Sequence, residues 1–127
     1  MPQFRTPGAR VAGLGSAKSG VGHWWGQRVT SIALIPLTIL ALFPLARNIG
    51  EPLALVRERL ADPWSAIVLI LFIAVTFQHL KQGLQVVIED YVHAEPWRTG
   101  LLLGNVGLCW LFGLTGVFAA ARLSFGV

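Results

Sequence analysis

Long apolar runs separated by short polar clusters set the pattern of this chain. Between Arg28 and Arg47 lie 18 residues without Asp, Glu, Lys or Arg, between Asp62 and Lys81 another 18, and between Arg98 and Arg122 lie 23. A helix needs about 20 mostly apolar residues to cross the hydrocarbon of a bilayer, within a range of about 17 to 25. A backbone in lipid must satisfy its own hydrogen bonds, and no alternating pattern here could close into a barrel, so each run predicts a helix. The predicted spans are about 29–46, 63–91 and 99–121. The second outlasts its uncharged run because nothing between Lys81 and Tyr91 stops it: that stretch has no proline, its single glycine is Gly83, and the first strong breaker is Pro96. Its part beyond the membrane is a cytoplasmic extension. The fold class is all-α, one domain over 1–127, with a polar arm at 1–28 ahead of three transmembrane helices.

Composition agrees. Of 127 residues, 54% are hydrophobic and 13% charged, against about 25% charged in soluble domains. Sixteen charges cannot cover the surface of a soluble globule this small. Disorder is excluded, because it needs low hydrophobicity and high charge. The single Cys109 allows no internal disulfide and no cysteine-based zinc or iron–sulfur site. The net charge of +4 reads as topology rather than nucleic-acid binding. With the N-terminus inside, Arg5, Arg10, Lys18, Arg28, Lys81 and Arg98 gather on the inner side, and Arg47, Arg57, Arg59 and Arg122 on the outer. The positive-inside rule therefore favours N-in and C-out. The basic arm lacks a short apolar core with a cleavage site, so it reads as a retained cytoplasmic arm, with a mitochondrial presequence as the weaker reading. Glycines and serines at 13–22 predict a segment that orders against a partner.

Inside the spans, Pro36 predicts a kink in the first helix. Gly100 and Gly104, continued by Gly107, Gly113 and Gly116, predict close helix packing, within the chain or across a homodimer seam. Trp24, Trp25, Trp64 and Trp97 fall near span ends, as an aromatic belt requires. Trp110 falls deep in the third span, a position that suits packing against a neighbour.

Polar residues at membrane depth are costly, and are functional candidates for that reason. The foremost is His79. If the second helix runs from Pro63 to about Tyr91, His79 lies near mid-membrane, and Asp90 and Tyr91 reach the inner surface. At 100° per residue, Gly83, Val86 and Asp90 fall within about 40° of the His79 direction. Tyr91 lies about 18 Å along the axis from His79. Gly83 removes a side chain one turn away, which leaves room for something flat and bulky such as a haem edge. The plain alternative for His79 is a hydrogen bond to a neighbouring helix. His23 and His93 lie outside the predicted spans, and Met1 is the sole methionine. A six-coordinate haem on His79 would therefore take its other axial ligand from a different subunit.

The stretch His79-Leu-Lys-Gln-Gly83-Leu-Gln-Val-Val-Ile-Glu-Asp90-Tyr91-Val resembles the second-helix signature of the hydrophobic membrane anchor of succinate dehydrogenase, the D subunit of complex II. That signature has a histidine, a glycine four residues on, and an Asp-Tyr pair eleven and twelve residues on; all four positions match. Gly22-His23-Trp24-Trp25-Gly26-Gln27-Arg28-Val29-Thr30 is similar to the run entering the family's first span. The arm and the Ile-Glu-Asp-Tyr-Val-His wording resemble alphaproteobacterial anchors.

The resemblance implies a membrane anchor in the bacterial inner membrane, part of a helical bundle completed by a sister anchor, the C subunit. Iron–sulfur and flavoprotein subunits would sit on the inner face, and the chain alone would be non-catalytic. His79 would be one axial ligand of haem b, shared with the sister anchor. Tyr91 would hydrogen-bond a ubiquinone carbonyl, and Asp90 would support that site. Arg28 would lie near the haem propionates or the quinone, with His23 a further propionate candidate. The plain alternatives are an interfacial positive charge for Arg28, a surface histidine for His23, and an interfacial aromatic beside a solvated acid for Tyr91 and Asp90. Thr30 and Ser31 read as hydrogen bonders to their own helix. Rival readings are the anchor of a quinol:fumarate reductase and a cofactor-free transporter or assembly subunit. A transporter should show inverted repeats or paired broken helices, and the sequence has neither. The stretch Asn48–Asp62 matches nothing assignable, and Lys81 brings a charge unexpectedly close to His79.

Overall fold

The structure is a computed structural model that describes Thr6, Gly8 and residues 20–126. Arg5, Arg10 and Lys18, and the glycine- and serine-rich residues 13–19, lie outside the described residues. Within residues 20–126 four helices follow in order: α1 Gly20–Arg47, α2 Leu53–Leu60, α3 Pro63–Tyr91 and α4 Glu95–Phe125. Among the described residues there is no strand. Three of the helices, α1, α3 and α4, are long and apolar enough to cross a membrane. At 1.5 Å per residue they measure roughly 42 to 46 Å, against hydrocarbon of about 30 Å.

The helices are longer than the expected spans. α1 begins at Gly20 rather than near residue 29, so residues 20–28 of the expected arm are helical and His23 stands on the first long helix. α4 begins at Glu95 and runs to Phe125. Pro36 and Pro44 both lie inside α1, which continues through them as one element. The unassigned stretch between the first two spans contains the short helix α2.

Local chemistry explains the boundaries. Asp62 caps α3: its carboxylate accepts from the Ser65 backbone N–H at 3.0 Å and the Ser65 hydroxyl at 3.1 Å, with Pro63 in the first turn. Gly126 ends α4 at φ 69°, in the left-handed region, and its N–H donates to Arg122 O. The turn after α1 is held by Arg59 of α2. Its guanidinium donates to Arg47 O at 2.8 Å and to Asn48 Oδ1 at 3.2 Å, and pairs with Glu51. Those bonds satisfy an orphan carbonyl at the α1 terminus.

α3 is the middle helix. It packs against α1 on one side and α4 on the other, and among the described residues no Cα of α1 comes within 8 Å of one in α4. Both pairings are antiparallel: Gly26 meets Gln82 and Thr30 meets His79, while Asn105 meets Lys81, Gly113 meets Phe77 and Gly116 meets Ile73. The expected close glycine packing divides along α4. A Cβ on Gly113 would come within 3.2 Å of Phe77 and one on Gly116 within 3.0 Å of Ile73, so these two seat α4 on α3. Gly100, Gly104 and Gly107 face open space. The buried apolar residues are few and mostly small: Ala41, Leu60, Ala66, Val68, Cys109 and Ala120.

Candidate functional site

His79 lies near the middle of α3 and faces α1. Its Nδ1 is 2.9 Å from Thr30 Oγ1, and its Nε2 is 3.4 Å from Gln27 Nε2. The Thr30 hydroxyl also reaches Gly26 O at 2.9 Å, Gln27 O at 3.1 Å and Gln82 Oε1 at 3.4 Å. Gln82 is buried, and its side chain lies where a Cβ on residue 26 would be, 2.5 Å from its Nε2. Gly26 thus admits Gln82 to the seam. Gly83 performs the converse service: the nearest side chain to its missing Cβ is Gln27, at 3.5 Å. The space beside His79 that Gly83 was expected to open is lined by Gln27.

The spacing on α1 is helical. His23, Gln27 and Thr30 recur at intervals of four and three residues, on one face. Two buried polar atoms on this face, His23 Nε2 and Gln27 Oε1, have no hydrogen-bond partner among the described residues. Burying such atoms unsatisfied is costly, which marks this edge of the seam as incomplete within the chain.

The other sequence candidates lie elsewhere. Arg28 is exposed and stacks over the Trp24 ring, 5.3 Å from its centroid. Asp90 and Tyr91 end α3, and Tyr91 is 78% exposed; neither is hydrogen-bonded to His79. The structure therefore brings His79 together with Thr30, Gln27 and Gln82, and leaves Asp90 and Tyr91 as a separate exposed pair. Lys81 turns to the opposite face from His79. Its ammonium lies 5.6 Å from the Trp110 ring centroid, within the range of a cation–π contact. The groove beside it, about 180 Å³, runs between α3 and α4. Asn105 closes this second seam, donating to Lys81 O at 2.8 Å and accepting from Cys109 Sγ. Trp110 meets Lys81 as well as open space, being 55% exposed.

Thr30 and Ser31 do bond their own helix, Ser31 to Gln27 O at 2.7 Å. Sequence reasoning missed the second contact of Thr30 and gave no role to Gln27 or Gln82. Amides inside otherwise apolar helices were the available signal. No group of three or more His, Cys, Asp or Glu side chains that could hold a bare metal ion occurs among the described residues.

Three long apolar helices, two of them joined by a polar seam at His79, define a multi-pass membrane protein. The particular family follows from comparison. The chain matches the succinate dehydrogenase/fumarate reductase transmembrane subunit family over residues 3–118, and it belongs to that family. It is 31% identical to the succinate dehydrogenase hydrophobic membrane anchor subunit of Paracoccus denitrificans, over 98% of this chain and 95% of that protein. The corresponding subunit of Rickettsia bellii is 32% identical, over 79% of this chain and 80% of the relative. The succinate dehydrogenase membrane anchor subunit of Reclinomonas americana is 34% identical, over 64% of this chain. No solved structure matches the chain.

Proposed function

We propose that this chain is the hydrophobic anchor of a succinate:ubiquinone oxidoreductase in the bacterial inner membrane, with its N-terminus on the cytoplasmic side. It would hold the flavoprotein and iron–sulfur subunits at the inner face and complete its bundle with a sister anchor. The observation that carries the reading is the family match over nearly the whole chain; within it, two α1 side chains contact His79.

His79 would ligate a haem b shared with the sister anchor. A haem would ask one imidazole of this subunit, and His79 is half-buried, with Nδ1 2.9 Å from Thr30 Oγ1 and Nε2 3.4 Å from the Gln27 amide. The unsatisfied His23 Nε2 suits a propionate oxygen at the edge of the same face. Arg28, one residue beyond Gln27, is the second propionate candidate, since a guanidinium pairs well with carboxylates. Gly83 leaves room beside His79, which the Gln27 side chain lines. When bound, the haem supplies a one-electron redox centre; this chain's residues ligate, orient and shield it.

Tyr91 and Asp90 are the quinone residues. The exposed phenol donates a hydrogen bond to a quinone carbonyl, and Asp90 supports the proton supply beside it. Ubiquinone would take two electrons and two protons there, the electrons arriving from a cluster in another subunit.

The test is a reduced-minus-oxidised absorption spectrum of the complex purified through a tag on this chain, for wild type and His79→Ala, with the co-purifying subunits identified. A b-type spectrum lost or shifted in His79→Ala, with flavoprotein and iron–sulfur partners present, is the expected result. A b-type spectrum unchanged by the substitution would move the ligand elsewhere. Absence of both haem and flavoprotein would refute the assignment.

A further inference from the structure

The Thr30 hydroxyl has one proton to give and two lone pairs to offer. Around it stand three pure acceptors, Gly26 O, Gln27 O and Gln82 Oε1. The fourth neighbour, His79 Nδ1, is both the atom able to donate and, at 2.9 Å, as close as any. With its own proton committed to the helix carbonyls, the hydroxyl accepts from an Nδ1–H. The opposite nitrogen, Nε2, lies 3.4 Å from the Gln27 side-chain amide, so a ligand that reaches Nε2 displaces this amide. The Thr30 contact thus selects the His79 tautomer with its proton on Nδ1.

We propose that Thr30 is the positioning residue of His79: it holds the imidazole with its proton on Nδ1, so that the Nε2 lone pair is the one presented to a haem iron. The inference rests on the reading of His79 as a haem ligand. A ligating imidazole gains basicity when its other N–H is hydrogen-bonded, and such partners are typically worth about 10- to 100-fold in metal affinity. The more basic ligand favours ferric iron over ferrous iron. Gln82 and Gly26 act on the same hydroxyl: Gly26 lets Gln82 approach, and the Gln82 carbonyl adds an acceptor that turns the Thr30 proton away from His79.

The experiment uses the whole complex, purified with its partner subunits. Thr30→Val keeps the shape and removes the hydroxyl. Thr30→Ser keeps the hydroxyl. Ser31→Ala removes a neighbouring bond of the same backbone type, Ser31 to Gln27 O, which does not involve His79. Measured are the haem-to-flavin ratio after challenge with a haem-scavenging protein, the reduced spectrum and the haem midpoint potential. Thr30→Val is expected to lower haem affinity about tenfold or more and to raise the midpoint potential, while Thr30→Ser and Ser31→Ala stay near wild type. A Thr30→Val complex with unaltered affinity and potential would overturn the proposal. So would Thr30→Ser or Ser31→Ala changing them as much as Thr30→Val, since the effect would then be packing. A spectrum that survives His79→Ala unchanged defeats the underlying haem assignment instead, so the two failures are distinguishable.

Discussion

A threonine inside a membrane helix commonly bonds the carbonyl one turn back, and Thr30 does so. What distinguishes it from Ser31 next door is direction: 100° around the helix separates a hydroxyl on the α3 seam from one that stays with its own backbone. Tyr91 shows the opposite circumstance, a polar side chain left largely uncovered at the end of α3. If its phenol donates to the quinone, Tyr91→Phe should lower succinate-driven quinone reduction by about tenfold, equivalent to about one hydrogen bond. The haem spectrum should remain as in wild type, because Tyr91 lies three helical turns from His79. Steady-state assays on the purified complex check this, and unchanged turnover in Tyr91→Phe would remove Tyr91 from the quinone site. His79 was legible in the sequence because a histidine in an apolar helix stands out against hydropathy. Its partners Thr30 and Gln27 were not, since they lie 49 and 52 residues away and one-dimensional periodicity says nothing about which faces meet.

Among the elements, α3 has the most constrained position, with a neighbour on each side. Its α1 face is polar around His79, with amides and a hydroxyl interlocked through Gly26 and Gly83. Its α4 face is mainly apolar, with Phe77 and Ile73 filling the notches at Gly113 and Gly116. Asn105 adds an interhelical hydrogen bond there, a contact worth on average about 0.6 kcal/mol in membrane bundles. Valine at Gly113 would force the Phe77 contact apart, and overpacking of this kind costs about 1–3 kcal/mol. Gly113→Val is therefore expected to lower the denaturation midpoint of the detergent-solubilised complex. Gly104→Val, with open space around it in this chain, should leave the α3–α4 seam intact. Equal loss in both variants would show that α4 is seated by something other than these notches. The sequence marked all of these glycines alike as packing sites. The α3–α4 register separates them, because a small residue matters where a bulky one opposes it.

For the molecule as a whole, the salient property is how little it buries. In the most apolar stretches of α1, α3 and α4, 6%, 11% and 17% of residues are buried within the chain. Large side chains such as Ile35, Phe43, Leu103 and Phe118 are exposed, each by more than half. In water such surface would drive aggregation; in a bilayer, lipid and partner subunits cover it. Topology can be read on the whole complex with a membrane-impermeant thiol reagent on intact cells, since the native Cys109 is buried. With the N-terminus inside, Gly50→Cys, in the turn between α1 and α2, should label from outside. His93→Cys, between α3 and α4, should label only after the membrane is opened. The reverse pattern would invert the orientation. By itself the sequence determined that there are three apolar spans, how far the second helix runs, and the family resemblance. All of these follow from hydropathy and spacing along a single helix, where neighbours in sequence are neighbours in space. The tertiary structure alone decided that α3 lies between α1 and α4, that Lys81 turns to Trp110 and away from His79, and that Thr30 and Gln27 contact the imidazole while Gln82 reaches the Thr30 hydroxyl. Those facts depend on the rotation and register of one helix against another, which side-chain packing sets and no single segment encodes.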